Sequence, residues 1–294
     1  MQDLATNRRN TKSTELNALI RLLDEPDQIV FNQIEDRILR FGEDAISLLE
    51  ESSLLSQDSE TSRRIEELIH KIQFNFVFNK LSDWKQNDQK SLFEIALSIS
   101  TLQYPRMDVS ALRVKMDRIT RDVWLEMNEE LTPLEKVQIF NHIFFEIYAF
   151  YGNKGNLNAP QNSFIKDVLE NKKGNSVTIS LLYLEIARRL NMPIYGINLP
   201  QNFVLAYVND ESVLSAKHRV LFYINPFNKG IIFTKKDIDA FLKQINETPQ
   251  NAYYQICDNA SVIKRLLSEL IESFSALGQE DSAETFKKLI KAIE

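Results

Sequence analysis

Apolar and polar positions follow two different periods along this chain, and the change of period divides it. Up to about residue 150 the apolar residues recur every third or fourth position, the spacing of amphipathic helices. Leu16, Leu19, Ile20, Leu22 and Leu23 predict a first helix that ends at Asp24-Glu25-Pro26. Ile29, Val30, Ile34, Ile38, Leu39 and Phe41 predict a second, stopped by Gly42. Ala45, Ile46, Leu48 and Leu49 predict a third, and Ile65, Leu68, Ile69, Ile72 and Phe76 a fourth. Helices near 88–101 and 108–127 follow, divided by Tyr104-Pro105. The next, Pro133–Tyr151, opens on Thr132-Pro133-Leu134-Glu135, with a Thr cap, Pro first and Glu third.

The stretch from Phe164 to Tyr207 organises the rest. A short helix, Phe164–Asn171, takes Ser163 as its expected cap, and a Lys-Lys-Gly break leads into a long apolar helix. Ile179, Leu182, Tyr183, Ile186, Ala187 and Leu190 share one face of it, and Val177, Leu181 and Leu184 cover a second. Only Glu185, Arg188 and Arg189 call for water, with Glu185 in reach of Arg189 one turn on. A helix apolar on two sides is packed from both directions and forms the spine of a core. After Asn191-Met192-Pro193 the pattern turns to strands at Ile194–Leu199, Phe203–Val208, Val220–Ile224 and Ile231–Phe233, separated by short polar turns, which predicts an antiparallel meander. Thr234 starts a further helix with Asp237 at its third position, and helices near 259–277 and 280–293 close the chain.

Glycine placement marks the same division. Five of the seven glycines lie between residues 150 and 235, where tight turns are needed. The expected class is α+β: a mostly helical N-terminal half, a central buried helix on a small antiparallel sheet, and a C-terminal helical hairpin. The expected domains are 1–85, 86–245 (a helical lead-in to about 151, then the core 152–245) and 246–294.

A net charge of −6 argues against a nucleic-acid or anionic-membrane surface. The single Cys257 excludes an internal disulfide framework and any CxxC motif. No stretch reads as a signal peptide, and the greasiest helix, Val137–Tyr151, is interrupted by Asn141, His142 and Glu146, so a soluble, cytoplasmic protein is expected. No HExxH, carboxylate cluster or Cys/His pair suggests a metal, and Gly152-Asn153-Lys154-Gly155 is too short for a phosphate loop. No cofactor is expected.

Four motifs recur in order over about residues 130–235: Lys-Lys-Gly-Asn-Ser at 172–176, Ser-Leu-Leu-Tyr-Leu-Glu-Ile-Ala-Arg-Arg-Leu-Asn-Met-Pro at 180–193, Gly-Ile-Asn-Leu-Pro-Gln-Asn-Phe-Val-Leu at 196–205, and Ile-Asn-Pro-Phe at 224–227. Together they resemble the SirB-type transglutaminase-like family, which implies a papain-related fold. The short N-terminal helices are similar to HEAT repeats, too few for a free-standing array and expected to cap the downstream domain. The C-terminal hairpin fits one tetratricopeptide-like unit. Catalytic members of the superfamily place a Cys at the start of the spine helix, a His on a following strand and an Asp or Asn on the next. The resemblance puts Ser176, which precedes Pro193 by 17 residues, in the Cys slot, Asn202 in the His slot and Asn225 in the acid slot. Their side chains are then expected to converge. The Gly152-Asn153 loop, Asn175 and Gln201 would lie along the same cleft.

An Asn at 225 could still orient an imidazole, but an amide at 202 takes up no proton, and a serine without a base is a weak nucleophile. The histidines are His70, His142 and His218, of which only His142 offers itself on the cleft side. Helix capping is the structural role expected of Ser176, and hydrogen bonding that of Asn202 and Asn225. The reading is a noncatalytic transglutaminase-like protein that binds or scaffolds a protein partner. Its rivals are a weak hydrolase, peptidase or acyl-transferase using Ser176, and a purely structural helical adaptor. No ligand, partner identity or oligomeric state is legible.

Overall fold

A computed structural model describes residues 14–56, 58–86, 91–209 and 220–294. It divides into two compact units, Met1–Lys80 and Leu81–Glu294.

The first unit is helical: α1 (14–20), α2 (Gln28–Leu39), a 3₁₀ turn (Gly42–Ala45), α3 (Ile46–Leu55) and α4 (Ser59–Gln86) as far as Lys80, the last turn of α4 being assigned to the second unit. Asp27 caps α2 by accepting from the Ile29 and Val30 N–H groups. Leu16, Leu23, Ile34, Ile38, Leu49, Ile65 and Leu68 form a common core. Arg64 reaches across, donating to the carbonyls of Leu23 and Glu25 at 3.0 and 2.7 Å, and its guanidinium lies 4.3 Å from the Phe31 ring centre. The carbonyls of Leu23 and Glu25 therefore stay satisfied where α1 stops. The fourth helix runs well beyond the Ile65–Phe76 stretch read from the sequence. Its apolar stripe continues through Val77, Leu81 and Trp84, all buried.

The second unit is built on α9 (Ser176–Arg189), the predicted spine. Val177 through Ala187 are all buried. Helices α5 (Leu92–Thr101), α6 (Val109–Leu125) and α8 (Ile165–Asn171) pack on it, as does α11 (Asn259–Ala276). Strands β3 (Ile194–Leu199), β4 (Asn202–Val208), β5 (Val220–Asn225) and β6 (Ile231–Phe233) form an antiparallel sheet in that order. The meander and the α+β class stand. Two short strands, β1 (Tyr151–Gly152) and β2 (Lys173–Gly174), pair in parallel beside the start of α9. Helix α10 (Lys235–Gln244) covers the sheet face carrying Leu199, Val204 and Tyr223. Helix α11 packs on β3 and pairs with α12 (Glu280–Ile290) as a hairpin.

Three local expectations change. The helix predicted over Pro133–Tyr151 is α7 (Pro133–Asn141) followed by one π turn, His142–Ile147, and it ends where Ala149 takes φ +56°. That ending frees Tyr151 to join β1. Glu185 is fully buried instead of solvated. Arg188 and Arg189 fold over its carboxylate, at 2.7 and 3.0 Å, and Arg189 continues to Asp117 at 2.7 Å. The charge is tolerated inside because it is paired and hydrogen-bonded. Ser163 does not cap α8, which has no side-chain cap; it is buried and accepts from the Asn175 amide at 2.7 Å.

The aromatic core above the spine fixes α7 against it. Phe140 stacks on Tyr183 with ring centres 3.7 Å apart, and Phe144 stacks on Phe150 at 4.4 Å. The Tyr183 hydroxyl is buried and donates to Asn141 Oδ1 at 3.0 Å. Burial pushes its pKa well above the usual phenol value. Asn141 Nδ2 in turn donates to the Gly230 carbonyl at 2.8 Å. One amide thus ties α7, the spine and the β5–β6 turn together. Among the described residues no helix is long and apolar enough to cross a membrane.

Candidate functional site

The N-terminus of α9 is held by a network of amides. Asn175, not Ser176, is the cap: its Oδ1 accepts from the Thr178 N–H at 2.8 Å and from the Thr178 hydroxyl at 3.0 Å. An Asn at this position leaves its Nδ2 free to reach Ser163, which a serine could not do. Its N–H donates to the Asn162 carbonyl, Asn153 Nδ2 donates to Asn162 Oδ1, and Asn162 Nδ2 donates back to Asn156 and Leu157. The loop from Gly152 to Ser163 is therefore pinned to the start of the spine by side-chain amides, which is why so polar a segment is ordered. Asn175 is buried inside this network.

Ser176 is the first residue of the helix. Its Oγ accepts from the Phe203 N–H at 3.2 Å. One turn on, the buried Ser180 hydroxyl lies 3.5 Å from the Phe203 carbonyl. The pairing of β5 with β4 ends at Leu205 opposite Ile224, so the β4 backbone beyond it has no strand partner on that side. Two serines of the spine supply the missing partners.

Asn202 begins β4 opposite Leu199, and Asn225 ends β5 opposite Ile231. Alternation along the strands puts both on the face shared by Leu199, Val204 and Tyr223, the α10 face. They line one small pocket of about 170 Å³ with Asn228, Phe233 and Ile238, and Ser176 is not among its walls. Asn225 Oδ1 caps the 3₁₀ turn Pro226–Asn228 by accepting from the Asn228 N–H at 3.3 Å. The expected convergence of three side chains is therefore met only by the two asparagines. Ser176 reaches the backbone one residue beyond Asn202, because strand pleating turns the Asn202 amide away from the spine.

His142 sits elsewhere. It opens the π turn, is solvent-exposed, and places Nδ1 2.7 Å from Glu146 Oε2. It borders a groove with Leu125, Ile139 and Ile147 that shares no residue with the asparagine pocket. His218 lies outside the described residues, and His70 belongs to the first unit. Gln201 occupies the β3–β4 turn at φ +57°, exposed. Among the described residues no group of three or more His, Cys, Asp or Glu side chains is gathered as a metal site. Burial pushes the Cys257 thiol up to about 12, with Asp258 adding to the effect.

Gly152 and Asn153 do line a cavity, of about 610 Å³, together with Tyr151, Lys154, Lys173, Phe227, Lys229 and Ile231. Gly152 is required there: a Cβ would stand 2.4 Å from the Phe227 ring. The sequence reading missed Phe227 and the three lysines. They lie within motifs read for other reasons, Lys154 in Gly152–Gly155, Lys173 in the Lys-Lys-Gly break and Phe227 in Ile-Asn-Pro-Phe, while Lys229 lies in none.

The profile of the transglutaminase-like superfamily matches residues 110–268, more than half of the chain and the whole of the spine, sheet and pockets just described. The chain belongs to this superfamily. A UPF0162 protein of Xylella fastidiosa is 28% identical over 140 residues, 47% of this chain and 47% of that protein. A UPF0162 protein of Vibrio cholerae is 26% identical over 186 residues, 62% of this chain and 66% of that one. F-box only protein 21 of Homo sapiens is 23% identical over 215 residues, 72% of this chain and 32% of that protein. The match thus spans about half the length of the first of these curated relatives and a third of the last. No solved structure matches.

Proposed function

We propose that this chain is a noncatalytic, SirB-type member of the transglutaminase-like superfamily that works as a binding or scaffold module. The observation that carries the reading is the use made of Ser176: its oxygen is an acceptor for the Phe203 N–H, and among the described residues no imidazole, carboxylate or lysine hydrogen-bonds to it. A serine so placed lacks the base that makes it a nucleophile. Losing residues that act as a unit costs on the order of a million-fold in turnover. The asparagine pocket and the lysine-rimmed cavity remain as binding surface. The likeness of this chain to a third of F-box only protein 21 supports a module that can be built into a longer protein. On this reading the N-terminal helices are HEAT-like, the terminal hairpin is one tetratricopeptide-like unit, and the partner is a cytoplasmic protein.

Thiol reactivity tests it. Ser176→Cys alone is expected to alkylate with iodoacetamide no faster than an ordinary exposed thiol, since the position is half-buried. The triple change Ser176→Cys, Asn202→His, Asn225→Asp is expected to react no faster, since residue 202 faces α10 and an imidazole there does not reach the thiol. Both should outpace the buried Cys257. A Ser176→Cys thiol that alkylates at neutral pH at the rate of a fully formed thiolate would reveal a base that the reading denies.

A further inference from the structure

The loop side of the cleft carries chemistry that the former catalytic positions do not use. The cavity of about 610 Å³ has an apolar side, made by Tyr151, Phe227 and Ile231, and a rim of three lysines, Lys154, Lys173 and Lys229. Among the described residues no carboxylate lines it. In a chain of net charge −6 this is a local reversal of sign. All three lysines are exposed, and among the described residues none forms an ion pair. A fourth, Lys172, lies just behind: its ammonium is over the Phe150 ring at 4.5 Å, and burial with nearby Lys115 lowers its pKa.

The apolar side is held in place, not merely exposed. The Phe227 ring packs on Gly152, where no side chain intervenes. Tyr151 is fixed by the β1–β2 pairing, its N–H donating to the Lys172 carbonyl at 2.9 Å, and Lys173 Nζ lies 5.6 Å from its ring centre. Lys229 follows the 3₁₀ turn at φ +53°, and Gly230, at φ +70°, is anchored by Asn141. Fixed rings beside uncompensated ammonium groups suit a ligand with both a flat body and more than one negative charge. The volume is that of a small organic molecule, within the usual range of about 300–1,000 Å³.

We propose that this cavity binds a small ring-bearing polyanion of mononucleotide size, its charged groups on Lys154, Lys173 and Lys229 and its ring against Phe227, Tyr151 and Ile231. The proposal deepens the binding role given above and rests on it only in placing a ligand in the cleft. It does not depend on the chemistry of Ser176.

Titration calorimetry on the full chain tests it, with ADP as the ring-bearing polyanion, pyrophosphate as a polyanion without a ring, and adenosine as a ring without charge. ADP is expected to bind saturably, about tenfold or more tighter than either fragment, and to weaken with salt. Lys154→Ala, Lys173→Ala and Lys229→Ala combined should weaken ADP by about tenfold or more while leaving the melting temperature unchanged. Ile231→Ser, at an exposed position, should weaken ADP but not pyrophosphate. Absence of ADP binding at millimolar concentration would overturn the proposal. So would equal binding of ADP by the triple-lysine variant, or pyrophosphate binding as tightly as ADP. None of these results touches the alkylation comparison, so the two readings fail separately.

Discussion

Asn141 is the residue whose removal should reach furthest from its own position. Its amide accepts from the buried Tyr183 hydroxyl and donates to the Gly230 carbonyl, at 3.0 and 2.8 Å. Asn141→Ala strands both partners. A buried polar group left unsatisfied costs about 1–3 kcal/mol, so the pair sets an expected loss of about 2–6 kcal/mol. Tyr183→Phe removes the hydroxyl but keeps the ring stacked on Phe140. It forfeits one hydrogen bond, about 0.5–1.5 kcal/mol, with a further charge if Asn141 finds no new donor. In the double variant no phenol is left unpaired. The combined loss should fall short of the sum of the singles by about 0.5–3 kcal/mol, the coupling expected of direct partners. Urea denaturation of the four proteins gives each term, with unchanged slopes showing that the unfolded surfaces are comparable. An Asn141→Ala loss below about 1 kcal/mol, or strict additivity, would refute the claim that this amide ties α7 and the β5–β6 turn to the spine.

Leu182→Ala or Ile186→Ala should each cost roughly 2–5 kcal/mol in the same assay, because both side chains are fully buried on α9 and would leave cavities; a loss below about 1 kcal/mol would make the spine peripheral. A chain shortened to begin near Leu131 loses α5 and α6, which pack on α9. It should aggregate or unfold without a cooperative transition, and a sharp melt by a monomer would contradict this. The Cys257 thiol is raised from its ordinary value of 9.0 to about 12, so the folded state holds a proton that the unfolded state gives up. That contribution is complete below pH 9.0 and is lost as pH climbs toward about 12. Cys257→Ala should flatten the stability-against-pH curve in that window, and an unchanged slope would show that the thiol is not the cause.

The spine and the sheet were legible because their patterns are dense. Ile194–Leu199 and Ile231–Phe233 fall where the alternation placed them, and the two-faced run from Val177 to Ala187 could only be buried. Glu185 misled the reading because a lone carboxylate in an apolar helix looks solvated until two arginines one turn away are seen to fold over it. The π turn left no mark either: Ile143, Phe144 and Phe145 keep a helical burial pattern while the hydrogen bonds shift register. Motif spacing brought Ser176 to the helix start and Asn202 to the strand start, but pleating, which decides where a side chain points, depends on pairing with Leu199 and on where β5 stops. The loop from Gly152 to Ser163 reads as polar and open. Its order comes from amides of Asn153, Asn162 and Asn175 that meet only in three dimensions.

The central claim is that the Ser176 oxygen serves the backbone of Phe203 and performs no chemistry. The most direct measurement exposes the native full chain to a serine-reactive phosphonylating probe, with adducts read by intact mass and peptide mapping beside Ser176→Ala. The account predicts no adduct at Ser176 and the same background for both proteins. A stoichiometric adduct on Ser176, absent from the Ser176→Ala protein, would contradict it.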